Sequence, residues 1–214
     1  MIERPSADVD PKTTDGLLPV GLFTGAYLLA ATVGALVTGN GEFVFYIVVM
    51  LVLMTAVFLV HRRVGFSGGV LWGLSLWGLL HMAGGLVPVP ASWPIQGDIR
   101  VLYSWWIIPE RLKYDQVVHA YGFATTTFVC WQGLRAILRG FTKSESIAPS
   151  AGMVTLCAAA SLGFGALNEV VEFAATLIVP STNVGGYVNT GWDLVANSVG
   201  AVAAALFLWF RGRT

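Results

Sequence analysis

The sequence predicts an all-α, polytopic integral membrane protein with about six transmembrane helices, and three observations carry that expectation. Mean hydropathy is +0.72, with 56% hydrophobic and 11% charged residues, where soluble domains are roughly one-quarter charged. Six apolar windows of about 19 residues, each enough helix to cross a ~30 Å hydrocarbon core, leave no room for a soluble domain. None shows the two-residue alternation of a barrel strand, so each segment must satisfy its own backbone as a helix.

The windows are 17–38, 43–60, 66–87, 115–137, 153–179 and 192–210. Asp8, Asp10 and Asp15 precede the first, with no cleavage-like site behind it, so it reads as a retained span rather than a signal peptide. The second is the shortest, at 18 residues. Residues 1–16 and 211–214 are expected as tails, and 17–210 as a single transmembrane domain. The one long connection, 88–114, carries Pro88, Pro90, Pro94 and Pro109 among Trp93, Tyr103, Trp105 and Trp106. Proline opposes a regular helix and tryptophan favours the headgroup level, so this loop is expected to lie flat on the interface. Gly69/Gly73, Ser161/Gly165 and Gly200/Ala204 are small-residue pairs that permit close helix packing. Cys130 and Cys157 lie in apolar runs and read as small core residues, with no disulfide or redox motif.

Twelve basic and twelve acidic residues cancel, which removes any argument for a nucleic-acid partner. Their placement is informative. The N-tail, second loop, fourth loop and C-tail hold nine Lys/Arg, namely Arg4, Lys12, Arg62, Arg63, Arg135, Arg139, Lys143, Arg211 and Arg213. The other loops hold three: Arg100, Arg111 and Lys113. The excess predicts cytoplasmic termini and an extracytoplasmic 88–114 loop.

An ionisable group inside a span costs at least about 2.5 kcal/mol on insertion scales, so each needs a reason. The third span holds His81; the fourth opens with Asp115 and His119; the fifth carries Asn168, Glu169 and Glu172; the sixth begins with Asp193 and Asn197. Asp115/His119, Glu169/Glu172 and Asp193/Asn197 are three or four residues apart, so each pair shares a helical face. At about 1.5 Å per residue, His81, His119, Glu172 and Asn197 fall roughly 6–10 Å below the outer boundary, and Glu169 about 15 Å. Helices entering from opposite sides thus bring acid, imidazole and amide to nearly one level. No comparable polar groups occur in the first two spans, and no internal repeat is visible. These four spans contain no lysine or arginine at that depth, so neutralisation is expected from protons, a divalent metal or a cationic substrate rather than from an internal ion pair. The uncharged fifth loop, with Asn183, Gly185, Gly186, Tyr187, Asn189 and Thr190, is a candidate substrate-contacting edge.

The strings YDQVVHAYGF (114–123), NEVVE (168–172) and NTGWDLVAN (189–197) resemble the YjdF-type bacterial inner-membrane proteins and, more distantly, the VanZ-like family. The resemblance covers the last half of the chain. It implies a compact helical protein of the inner membrane, with Asp115, His119, Glu169, Glu172, Asp193 and Asn197 at family-type positions, and implies no reaction.

The residues then support an intramembrane metal-dependent hydrolase or transferase acting on a lipid or lipid-linked molecule in the outer leaflet. Zinc, iron or manganese would be held by His81, His119, Asp115, Glu169 and Glu172. Glu172, Glu169 and Asp193 are the candidate catalytic acids, and Asn197, Asn168, Tyr121 and Trp192 the candidate substrate contacts. A small proton- or cation-coupled carrier and a structural membrane subunit are the alternatives.

Overall fold

The computed structural model describes residues 17–142 and 146–212. The expected 1–16 tail, Lys143 and Arg213 lie outside the described residues. Six long helices follow in order: α1 Leu17–Thr38, α2 Gly41–Val64, α3 Gly68–Leu86, α4 Tyr114–Thr142, α5 Ala151–Ile178 and α6 Tyr187–Arg211.

Capping chemistry explains the ends that hydropathy missed. The Asn40 side chain accepts from Phe43 N–H at 3.1 Å, and Gly65 closes α2 in the left-handed region. The second span is therefore 24 residues rather than 18, long enough to cross the hydrocarbon. Ser67 and Ser150 cap α3 and α5 in the same way. The sixth helix starts five residues earlier than hydropathy suggested, taking Tyr187, Asn189 and Thr190 out of the expected loop and into its first turn.

Contacts between side chains fix the directions. Thr24 faces Ser75 and Tyr27 faces Gly78, so α1 and α3 run parallel. Tyr46 meets His81 while His61 meets Phe66, so α2 returns antiparallel. Tyr114 and Tyr121 donate to the Leu80 and Gly73 carbonyls, which sets α4 against α3. Ser161 Oγ donates to Phe123 O on α4, and Glu169 faces His119, so α5 runs against α4. His119–Asn197 and Phe128–Phe207 pair α4 with α6 in parallel. The alternation expected of consecutive spans is present.

Five of these helices are apolar enough to cross a membrane; α4, though 29 residues long, is not. Its position explains this. It packs most extensively on α6, then on α5 and α3, so its polar side meets protein instead of lipid. Thr125, Thr126 and Thr127 satisfy their hydroxyls on carbonyls four residues back, at 3.0, 2.9 and 2.9 Å. The outer helices show the reverse pattern. Leu18, Leu22, Leu29 and Leu36 on α1, and Val195, Val199, Val202 and Leu206 on α6, are exposed at helical spacing, as a lipid-facing stripe requires. Cys130 and Cys157 are free, and Cys157 is buried in the α4–α5–α6 core, as expected.

At Gly200 the backbones of α6 and α4 come close together. A Cβ there would collide with the Ala120 backbone carbonyl, so only glycine lets α6 lie this close to α4.

The 88–114 connection is a folded cap rather than a flat strap. Strand β1 (Trp106–Ile108) pairs antiparallel with β2 (Leu112–Lys113), and bridges join Pro88 to Val101 and Ile95 to Trp105. Arg100 donates to Ala91 O at 2.6 Å and Trp93 O at 3.1 Å, tying the turn to itself. Trp93 stacks on Trp105 with ring centroids 4.4 Å apart. Strands of two and three residues are too short to leave a period in the sequence, which is why hydropathy gave no sign of them.

Candidate functional site

The end of the bundle under this cap gathers most of the ionisable residues singled out above. His119, from the first turns of α4, is nearly fully buried. Its Nδ1 stands 3.0 Å from Asn197 Oδ1 on α6, and Asn197 is itself completely buried. A carbonyl oxygen can only accept, so Nδ1 is the donor here, and in a neutral imidazole the lone pair then lies on Nε2. Asp115 Oδ1 lies 3.5 Å from that Nε2 and Glu172 Oε1 lies 3.9 Å from it. Glu169 Oε1 is on the other side of the ring, 3.8 Å from Nδ1.

Two overlapping groups result. Asp115, His119 and Asp193 each offer a ligand atom within 4.8 Å of the others, and so do His119, Glu169 and Glu172. Donors bound to one tetrahedral zinc at 2.0–2.2 Å stand about 3.3 Å apart. The spacings around Nε2 are already close to that.

Hydrogen bonding is conspicuously incomplete here. Neither oxygen of Glu169 has a partner, nor does Asp193 Oδ1, although all three are buried. Glu172 Oε1 accepts from Asn168 Nδ2 at 3.0 Å, and Asp193 Oδ2 accepts from Asn189 Nδ2 at 2.6 Å. Buried carboxylate oxygens without donors are costly, and a ligand supplying positive charge removes that cost.

One expectation is corrected. The sequence was read as offering no internal cation, yet Lys113 turns inward from β2, is buried, and sits 3.5 Å from Asp115 Oδ2 while donating to Asn189 Oδ1. It escaped notice because it precedes the fourth span by two positions and was counted as a loop residue. It offsets one carboxylate and leaves Glu169, Glu172 and Asp193 without a lysine or arginine partner among the described residues.

A second correction concerns the first two spans, which were read as polar-free. Glu42 and Tyr46 of α2 line the same cavity, of about 460 Å³, as His81, Asp115 and Glu172. Glu42 Oε2 accepts from Asn183 N–H at 2.8 Å, which ties the loop after α5 to the start of α2. Hydropathy had begun the second span one residue after Glu42.

His81 shares the cavity wall but belongs to neither ligand group. Its Nδ1 lies 2.5 Å from the Tyr103 hydroxyl, on the short 3-10 turn Leu102–Ser104 of the cap. Burial, reinforced by the Asp115 and Glu172 carboxylates, pushes the Tyr103 phenol well above its usual range, so the hydroxyl keeps its proton; which of the pair donates depends on the His81 tautomer. Two of the other expected residues lie apart from the cluster. Tyr121 is directed to Gly73 on α3, and Trp192 is 56% exposed on the outside of α6.

Tyr103, Lys113 and Asn189 were not singled out as parts of the polar cluster. Asn189 had a usable signal. Once α6 is started at Tyr187, Asn189, Asp193 and Asn197 fall at four-residue intervals on one helical face. Gly165 on α5 lets that face seat, since a Cβ there would stand 2.8 Å from Asn197 Nδ2.

Fold and site together define a polytopic helical membrane protein with a capped carboxylate–histidine cavity at one end of the bundle. The family model described as "Predicted membrane protein (DUF2238)" matches residues 20–214, and the chain belongs to that family. The YjdF-type proteins are this family, so that resemblance holds, while nothing supports the VanZ-like one specifically. No curated protein and no solved structure matches the chain.

Proposed function

We propose that the cavity binds a divalent metal, zinc, iron or manganese, and that the protein is a metal-dependent hydrolase or transferase acting on a lipid or lipid-linked substrate. The observation that carries this reading is the set of buried, unpartnered carboxylate oxygens around His119, whose Nε2 faces Asp115 and Glu172. His119, Asp115 and Glu172 are the proposed ligands: Nε2 lies 3.5 Å from Asp115 and 3.9 Å from Glu172, the two carboxylates coming one from each of the two close donor groups. Glu169, with both oxygens unpartnered, is the general base that would take a proton from a metal-activated water. Asp193 supplies further negative charge to the site, and Asn197 orients His119 as outer-shell partners of metal-bound histidines do. Elemental analysis of the purified protein tests the proposal: near-stoichiometric zinc, iron or manganese is expected. Protein that is metal-free and takes up none of the three on titration would refute it.

The proposal places the site in the outer leaflet of the cytoplasmic membrane, with both termini in the cytoplasm. The lysine and arginine asymmetry supports this, as does the gathering of Arg135, Arg139 and Arg211 around a separate cavity at the opposite end of the bundle. Reporter fusions after Arg139 and at the C-terminus should give a cytoplasmic signal, and one at Pro94 an external signal. A cytoplasmic Pro94 would invert the orientation.

A further inference from the structure

We infer that an apolar channel beside α2 holds one hydrocarbon chain of an amphiphilic lipid, whose head group lies in the acid–histidine cavity. The inference rests on the reading of that cavity as the reactive site, and it narrows the substrate class to a lipid with a chain that can be drawn out of the bilayer.

Helix α2 is the most apolar of the candidate spans and the least buried. Its contacts with its neighbours are closest near its two ends, with Met50 also reaching Gly78 in between. Near its start, Phe43 fills the space beside Gly85 and Tyr46 meets His81; near its end, His61 meets Phe66. Between these points the side chains of α1, α2 and α3 leave a channel of about 360 Å³ walled in part by Met50, Leu53, Met54, Val57, Leu71 and Leu74. Tyr46 to His61 is 15 helical positions, or about 22 Å, most of a ~30 Å hydrocarbon core.

Water has little to hold it there. The Thr24 and Ser75 hydroxyls on the wall are bonded to each other at 2.6 Å, and Thr24 also donates to Val20 O at 2.7 Å. The unpartnered His61 Nδ1 lies at the end away from the cavity. A void of this size between packed helices is filled by whatever the surroundings supply, which inside a bilayer is hydrocarbon. Flexible Met50 and Met54 suit a wall that must fit a chain of variable conformation.

The channel abuts the reactive cavity. Tyr46, His81 and Glu172 line both. A chain lying along α2 would bring its polar end beside Glu172, one of the two carboxylates facing His119 Nε2. Annular lipid on the outside of α1 or α6 has no such exit.

The test uses the full-length protein in nanodiscs and a C16 alkyl phosphate carrying a diazirine at its chain terminus. Irradiation should cross-link the probe to Leu53, Met54 or Val57, and excess unlabelled hexadecyl phosphate should suppress it. Leu53→Trp fills the channel from a half-exposed position and should abolish those cross-links while bound metal stays unchanged; Val57→Phe serves if Leu53→Trp does not fold. Cross-links spread without competition over outward positions such as Leu22 and Val199, or unaltered by the blocking variants, would overturn the inference. Suppressible channel labelling in metal-free protein would support the chain site and remove the metal reading alone. Metal-loaded protein without channel labelling would remove only the chain site.

Discussion

Glu172→Gln should strip the purified protein of most of its bound metal, lowering affinity roughly 100-fold or more, since outer-shell changes alone typically cost 10–100-fold. The substitution keeps the shape of the side chain and a carbonyl oxygen for Asn168 Nδ2, which now donates to Glu172 Oε1 at 3.0 Å. It removes one negative charge 3.9 Å from His119 Nε2. His119→Ala should weaken retention at least as much. The double variant should lose little beyond the worse single one, because both remove donors from one ion and such effects do not add. Metal content by elemental analysis and affinity by competition with a chelator are the readouts. A glutamine variant that retains metal at wild-type affinity, or is merely more stable, would mean that the acids are protonated interhelical contacts.

Gly200→Val should produce the largest structural effect. Overpacking ordinarily costs about 1–3 kcal/mol because side chains can shift aside. Here the obstacle is the Ala120 backbone carbonyl, which no rotamer change can move, so α6 must back away from α4 and the cost should exceed that range. Asn197 lies three residues before Gly200 and would be drawn off His119, so surviving protein should also lose metal. Gly163→Ala, where a Cβ meets nothing within 4 Å, is the control and should be neutral. Yield of monodisperse protein and thermal unfolding in detergent decide the matter. A Gly200→Val protein as stable as the control would show that the α4–α6 contact is looser than described.

Most of the cluster was legible in the chain because lipid makes ionisable groups expensive, and Asp115, His119, Glu169, Glu172, Asp193 and Asn197 stand out against apolar surroundings. Lys113 and Glu42 were hidden for the opposite reason. They lie just beyond the hydropathic ends of their spans, where charge is cheap, and only the cap and the loop after α5 bury them. Tyr103 was equally inconspicuous, since an aromatic residue in a proline-rich loop reads as a headgroup anchor until its hydroxyl is found on His81.

What the sequence determined by itself was the number of helices, their alternating direction and the common level of the acids. Those follow from apolar length and rise per residue, which are local properties. Tertiary structure decided the rest: that α4 is the interior helix, that Nε2 of His119 is the nitrogen facing Asp115 and Glu172, that a lysine enters the site, and that a channel is left beside α2. Each of these depends on which helix faces which. Among apolar spans in lipid that choice is made by close packing at residues such as Gly200 and by a few interhelical hydrogen bonds, and hydropathy carries no record of either.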